Sequence, residues 1–140
     1  MKNKLLTITL ILLVTITLGG VLALIVLLKF NEEEAAEPSI DEVIEASVDV
    51  PEMTTNLLSG DYIRISFKVQ TDSKKAKEEL EKRDFQMKNI IIEELSEMKS
   101  EELQGKEGKQ QLETTIKDKA NGLMQEGKVE KVYITSYMIQ

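Results

Sequence analysis

Leu5–Leu28 reads LLTITLILLVTITLGGVLALIVLL, an apolar run with no charged residue and no proline. As a helix its ~24 residues rise roughly 36 Å. A bilayer core about 30 Å thick needs ~20 apolar residues, so the run can cross one with some tilt. The chain beyond Leu28 is polar, charged and patterned like a soluble domain. The expected organisation is a cytoplasmic N-terminus at 1–4, a transmembrane helix at 5–28, an acidic stalk at 29–47 and an extracytoplasmic domain at 48–140.

The orientation is set by the cations that flank the run. Lys2, Lys4 and the α-amino group precede it; Lys29 comes after it, and then Glu32, Glu33, Glu34 and Glu37. Cations are retained on the cytoplasmic side and acids count for little, which favours N-terminus inside and domain outside. A cleaved signal peptide would share the basic start. Its apolar core spans only ~7–15 residues and ends in a small-x-small site, and neither feature fits here. With no cysteine, lipoprotein processing is excluded.

The remaining chain has room for one modest core. The whole sequence carries a formal net charge of -7, with no histidine, cysteine or tryptophan. The negative charge argues against nucleic acid and anionic headgroups as partners. The missing residue types remove disulfides, thiol nucleophiles, the commonest general base and the commonest zinc ligands. No cofactor, metal site, catalytic residue or small-molecule substrate is expected.

Within the apolar run, Thr15, Gly19 and Ala23 recur every four residues and share one helix face. Small residues let helices approach closely in lipid, so this is a candidate transmembrane packing face. Small residues are also common in membrane helices generally. From Phe30 to Leu58 there is no Lys or Arg. Such a run of acids repels itself and reads as an extended spacer.

The folded domain is expected to begin near Val48. Thr54–Leu58 reads as a short strand and Ser59-Gly60-Asp61 as a hairpin turn. In Tyr62–Thr71, Ile63, Ile65, Phe67 and Val69 alternate with Arg64, Ser66, Lys68 and Gln70, the signature of a strand with one buried face. Residues 74–98 read as one helix whose core face carries Ala76, Leu80, Met87, Ile91, Leu95 and Met98. Phe85 and Ile92 fall on roughly the opposite face, where one helix on one sheet needs no apolar residues. They are candidate protein-contact residues; packing against a second helix or the chain's own sheet is the alternative. Gly105–Lys109 lacks the spacing of a phosphate-binding loop and reads as a helix–helix corner. A second helix is expected over 106–126 on Leu112, Ile116, Ala120 and Leu123. A last strand, Val129–Ile139, has apolar residues on both faces and is expected to be the more buried or central one. Truncating it should unfold the domain. The acid clusters, such as Glu93, Glu94 and Glu97, read as solvated helix surface.

The chain resembles the FliL family of flagellar basal-body-associated membrane proteins. The layout matches: a basic start, one span, an acidic stalk and a small domain. Local matches include Thr54-Thr55-Asn56-Leu57 and Leu80-Glu81-Lys82-Arg83-Asp84. Ile90-Ile91, Leu103-Gln104-Gly105-Lys106-Glu107-Gly108-Lys109 and the ending from Val132 to Gln140 continue in the same order. The resemblance implies an α/β (α+β) fold: one N-terminal transmembrane helix, then a small stomatin/prohibitin-like domain with a β-hairpin, two helices and a C-terminal strand. It also implies flagellar stator and basal body proteins as partners, assembly into a homo-oligomeric ring, and support of rotation, swarming and chemotaxis at the cytoplasmic membrane. It carries no catalytic residues. A generic anchored adaptor or sensor is the alternative function, and a carboxylate-based enzyme would need a cleft for two facing acids.

Overall fold

The computed structural model describes residues 2–33 and 36–140. Expectations that fall on Met1, on the α-amino group, or on Glu34 and Ala35 of the stalk lie outside the described residues. The chain divides into two units, Met1–Glu37 and Pro38–Gln140.

The first unit contains one helix, α1 (Lys2–Glu33). Its stretch Lys2–Phe30 is long and apolar enough to cross a membrane. Thr7, Thr9, Thr15 and Thr17 donate their hydroxyls to carbonyls three or four residues back, at 2.7–3.1 Å. Polar side chains are thereby satisfied within the helix, as lipid requires. The helix runs on past Leu28 into the first acidic residues.

The second unit opens with α2 (Ile40–Glu45), started by a capping box. The Ser39 N–H donates to the Glu42 carboxylate at 2.8 Å, and the Glu42 N–H donates to the Ser39 hydroxyl at 3.3 Å. This differs from the extended conformation expected for the whole stalk: reciprocal capping outweighs acid repulsion over one short helix. Thr71 donates from its N–H and its hydroxyl to the Ala46 carbonyl, at 3.0 and 2.6 Å. Lys74 pairs with Glu45 at 3.2 Å. These contacts fix α2 beside the start of the sheet.

The sheet has three antiparallel strands: β1 (Ser47–Asn56), β2 (Tyr62–Thr71) and β3 (Val129–Ile139), in the order β1-β2-β3. The turn between β1 and β2 holds Gly60 at φ 92°, as its sequence leads one to expect. β1 is twice the length read from sequence, because its acids face water and pair across the ladder: Glu52 with Arg64 at 3.6 Å, Asp49 with Lys68 at 3.2 Å. The central strand is β2, with Ile63, Ile65, Phe67 and Val69 all at most 1 % exposed. This corrects the expectation that the last strand is central. β3 lies at an edge, and much of its apolar surface stays exposed at Tyr137 and Met138.

The helices α3 (Lys74–Lys82), α4 (Asp84–Ser96) and α5 (Lys106–Asn121) pack on the sheet, with a 3-10 turn at Ser100–Leu103. Leu80, Met87, Ile91, Leu95, Leu112 and Ile116 close one core against β2. The single helix expected over 74–98 is broken at Arg83 (φ −93°, ψ 16°). Between Leu80 and Met87 no buried residue holds the helix to the core, and the break re-aims the second half so that Ile90 is buried as well as Ile91. Gly108 sits where α5 crosses the 3-10 turn, and a Cβ there would collide with the Glu102 carbonyl. The close approach explains why that corner carries glycine. α5 stops at Asn121, short of the expected 126. The Asn121 side chain instead accepts from the Val129 N–H at 2.7 Å and donates to its carbonyl at 3.0 Å.

Candidate protein-contact site

Pro38–Gln140 keeps the core on one side of its sheet, so the apolar residues that miss that core mark the candidate contact surface. α4 carries two of them, as do α2 (Ile40 and Ile44) and β3 (Tyr137 and Met138). The buried side of α4 is Met87, Ile90, Ile91 and Leu95; its outer side presents Phe85, 71 % exposed, and Ile92, 43 % exposed. A Phe so exposed forgoes the burial of a large apolar surface.

Phe85 stands between two open grooves. One, of about 580 Å³, lies between α4 and α5 and is lined by Phe85, Asn89, Ile90, Lys119, Gly122 and Leu123. The other, of about 560 Å³, is charged and runs along α3 to the loop after α5. Ile92 lies two turns further along α4 and lines neither groove. The structure thus places both residues on the exposed face of α4; Phe85 lines both of these grooves and Ile92 lines neither. Sequence reasoning missed Leu123 and Gly122 as the far wall. The early end of α5 exposes them, and its only sequence signal was Gly122.

The groove walls are held by side chains that bridge elements. Glu79 accepts from the Gln125 N–H at 2.9 Å and the Glu126 N–H at 2.5 Å, and Arg83 pairs with it at 2.8 Å. Burial pushes the Glu79 carboxyl up, but the Glu126 and Gln125 amides and the Arg83 guanidinium outweigh it and hold the group below its ordinary value. Arg83 also donates to Gln86 at 2.8 Å, which bridges the break between α3 and α4. Lys119 of α5 pairs with Glu94 of α4, and that hydrogen bond raises the ammonium above its ordinary value. At the hairpin end, the Ser100 and Ser59 hydrogen bonds hold the Asp61 carboxyl down.

The arrangement offers shape and charge for a protein surface. Among the described residues no group of three His, Cys, Asp or Glu could hold a metal ion. On α1, Thr15, Gly19 and Ala23 follow one another at four-residue intervals of a continuous helix. The Thr15 hydroxyl is turned to the Ile11 and Leu12 carbonyls, and a Cβ on Gly19 would meet nothing in the single chain.

These features define a class: a small α+β domain carried behind one apolar helix of membrane-crossing length. Within that class the chain belongs to the FliL family, whose model, described as "Flagellar basal body-associated protein FliL", matches residues 47–140. It is 50% identical over 121 residues to the "Flagellar protein FliL" of Bacillus subtilis (strain 168), covering 86% of each chain. It is 32% identical over 79 residues to the "Flagellar protein FliL" of Aquifex aeolicus (strain VF5), covering 56% of this chain and 49% of that one. As a member of this family the chain is a flagellar basal body-associated protein and not an enzyme. Its apolar N-terminal helix is consistent with a membrane anchor.

Proposed function

We propose that the chain is a stator-interacting component of the flagellar basal body that supports rotation, swimming, swarming and chemotaxis. In this reading residues 5–28 cross the cytoplasmic membrane once, with 1–4 inside. Residues 29–47 hold the 48–140 domain off the outer surface, and several copies assemble as a ring. Thr15, Gly19 and Ala23 pack one anchor against another, and Phe85 and Ile92 contact a partner. Confinement to a membrane raises local concentration, so contacts too weak for dilute solution suffice.

The observation that carries this reading is the exposed Phe85 at the lip of two grooves in the family-matched domain. The test is site-specific photo-crosslinking in the native membrane, with probes at positions 85 and 92 and a control at Gln70. Products with stator or basal body proteins, or with a second copy, are expected from 85 and 92 and absent from 70. Products with unrelated envelope proteins alone would favour a generic adaptor and overturn the motor reading.

A further inference from the structure

Asn121 is the last residue of α5 and is followed by Gly122. Its side-chain amide holds both backbone groups of Val129: Oδ1 accepts from the N–H at 2.7 Å, and Nδ2 donates to the carbonyl at 3.0 Å. Val129 opens β3 and is buried. One amide therefore ties the end of α5 to the start of the edge strand. The Gly122 N–H is engaged as well, with the Asp118 carbonyl at 3.2 Å. Just beyond this tie, Gly122 and Leu123 form the far wall of the α4–α5 groove. The dipeptide itself is chemically labile. Where glycine follows asparagine, no Cβ hinders the next backbone nitrogen from reaching the side-chain carbon. The other asparagines precede Lys4, Glu32, Leu57 and Ile90, which do hinder it.

We propose that Asn121 is a deamidation site which the fold holds closed, and that its conversion releases α5 from β3 at the far wall of the groove. In the reaction the Gly122 nitrogen gives up its proton and bonds to Asn121 Cγ. The Cγ–Nδ2 bond breaks, and Nδ2 leaves as ammonia with that proton. Water then opens the cyclic imide. Breaking the new Cγ–N bond gives aspartate; breaking the original peptide C–N bond gives an isoaspartyl link through Cβ and Cγ. Nothing is oxidised or reduced. In the folded chain Val129 holds the side chain, Asp118 holds the Gly122 N–H, and the helical turn keeps that nitrogen off Cγ. Reaction therefore waits for local opening of the last turn of α5. The product closes poorly. Aspartate turns an ionised oxygen to the Val129 carbonyl where Nδ2 donated, acceptor against acceptor. An isoaspartyl link lengthens the backbone beside the Leu123 and Met124 N–H bonds to the Ala120 carbonyl, now 3.0 and 3.2 Å. The change is one-way, and it alters the surface beside Phe85 whatever partner docks there.

The test holds the full-length chain in detergent at neutral pH, in buffer and in urea, and follows its peptides by mass spectrometry for the change from amide to acid. In urea the peptide bearing Asn121 should convert to aspartyl and isoaspartyl products ahead of those bearing Asn31, Asn56 and Asn89. In buffer it should convert at least ~tenfold more slowly. Gly122→Ala, at a φ of −62° that suits alanine, should keep the fold and suppress the reaction in urea. Converted chain returned to buffer, and separately Asn121→Asp, should show amide exchange at Leu123 and Val129 raised ~tenfold or more while Ile65 on β2 stays protected. That local pattern distinguishes release of the tie from general unfolding. Equal rates in buffer and urea, or an unreactive Asn121 in urea, would overturn the site. Unchanged exchange at Leu123 and Val129 in the converted chain and in Asn121→Asp would overturn its effect on the groove wall. Loss of protection at Ile65 along with them would overturn it too, because the amide would then hold the whole domain and not one wall.

Discussion

Glu79 shows how much one carboxylate organises. It is the acceptor for two backbone N–H groups of the loop after α5 and the partner of the arginine at the α3–α4 break. It therefore ties together both sides of the charged groove. Its folded-state affinity for protons is depressed, with burial opposing and the amides and Arg83 prevailing. A depressed carboxyl contributes stability at pH above its unfolded value, and loses it as pH falls through the folded one. Unfolding midpoints measured between pH 7 and 3 should thus fall at acid pH. Glu79→Gln should lower the midpoint at pH 7 and flatten part of the acid slope, with amide exchange at Gln125 and Glu126 rising first. An unchanged slope would show that the carboxylate is not the group that titrates. Asp61 is depressed in the same way and contributes in the same direction, so the slope should flatten without vanishing.

At the level of elements, the alternation in β2 predicts both its strand and its buried face. Phe67, 1 % exposed on the central strand, should lose about 3–5 kcal/mol on Phe67→Ala, read as a fall in denaturant midpoint. Ile92→Ala, on the outer side of α4, should stay within ~0.5 kcal/mol in the same titration. A large loss at Ile92 would mean that it is core. The core stripe of the helical region was equally legible, and so was the outward placing of Phe85 and Ile92. The break at Arg83 was not, because neither glycine nor proline marks it. Its signal was the seven-residue gap between Leu80 and Met87, which continuous periodicity passes over. The central position was assigned to the wrong strand for a related reason. β3 is apolar on both faces, but Tyr133 and Tyr137 spend their hydroxyls on Gln70 and Lys109 at 3.0 Å, as edge residues do. The edges themselves are blunted: β1 carries Pro51 and a register shift between Val50 and Met53, and β3 shifts register opposite Ser66 and Phe67. Irregular edges discourage strand addition. The groove beside Phe85 escaped the sequence because it exists only where α5 ends early.

On the scale of the whole molecule, charge and hydrophobicity are separated along the chain. Lys2 and Lys4 stand before an uncharged run, and nine acids with no Lys or Arg fill the interval from Phe30 to Leu58. Cations near a span are held on the cytoplasmic side, whereas acids scarcely resist translocation. The proposed topology therefore places residue 3 inside and residue 136 outside. Single cysteines at Asn3 and Ser136, exposed positions in a chain with no other cysteine, report on this directly. A membrane-impermeant maleimide added to intact cells whose wall it penetrates should label Ser136→Cys fully. Asn3→Cys should react only after the membrane is permeabilised. Labelling of Asn3→Cys in intact cells would invert the topology and remove the domain from the side on which an extracytoplasmic partner could meet it. Loss of the apolar segment from the mature chain, seen as a shortened mass, would instead show that Leu5–Leu28 is cleaved. Cleavage would free the domain from the membrane and remove the confinement on which the proposed assembly depends.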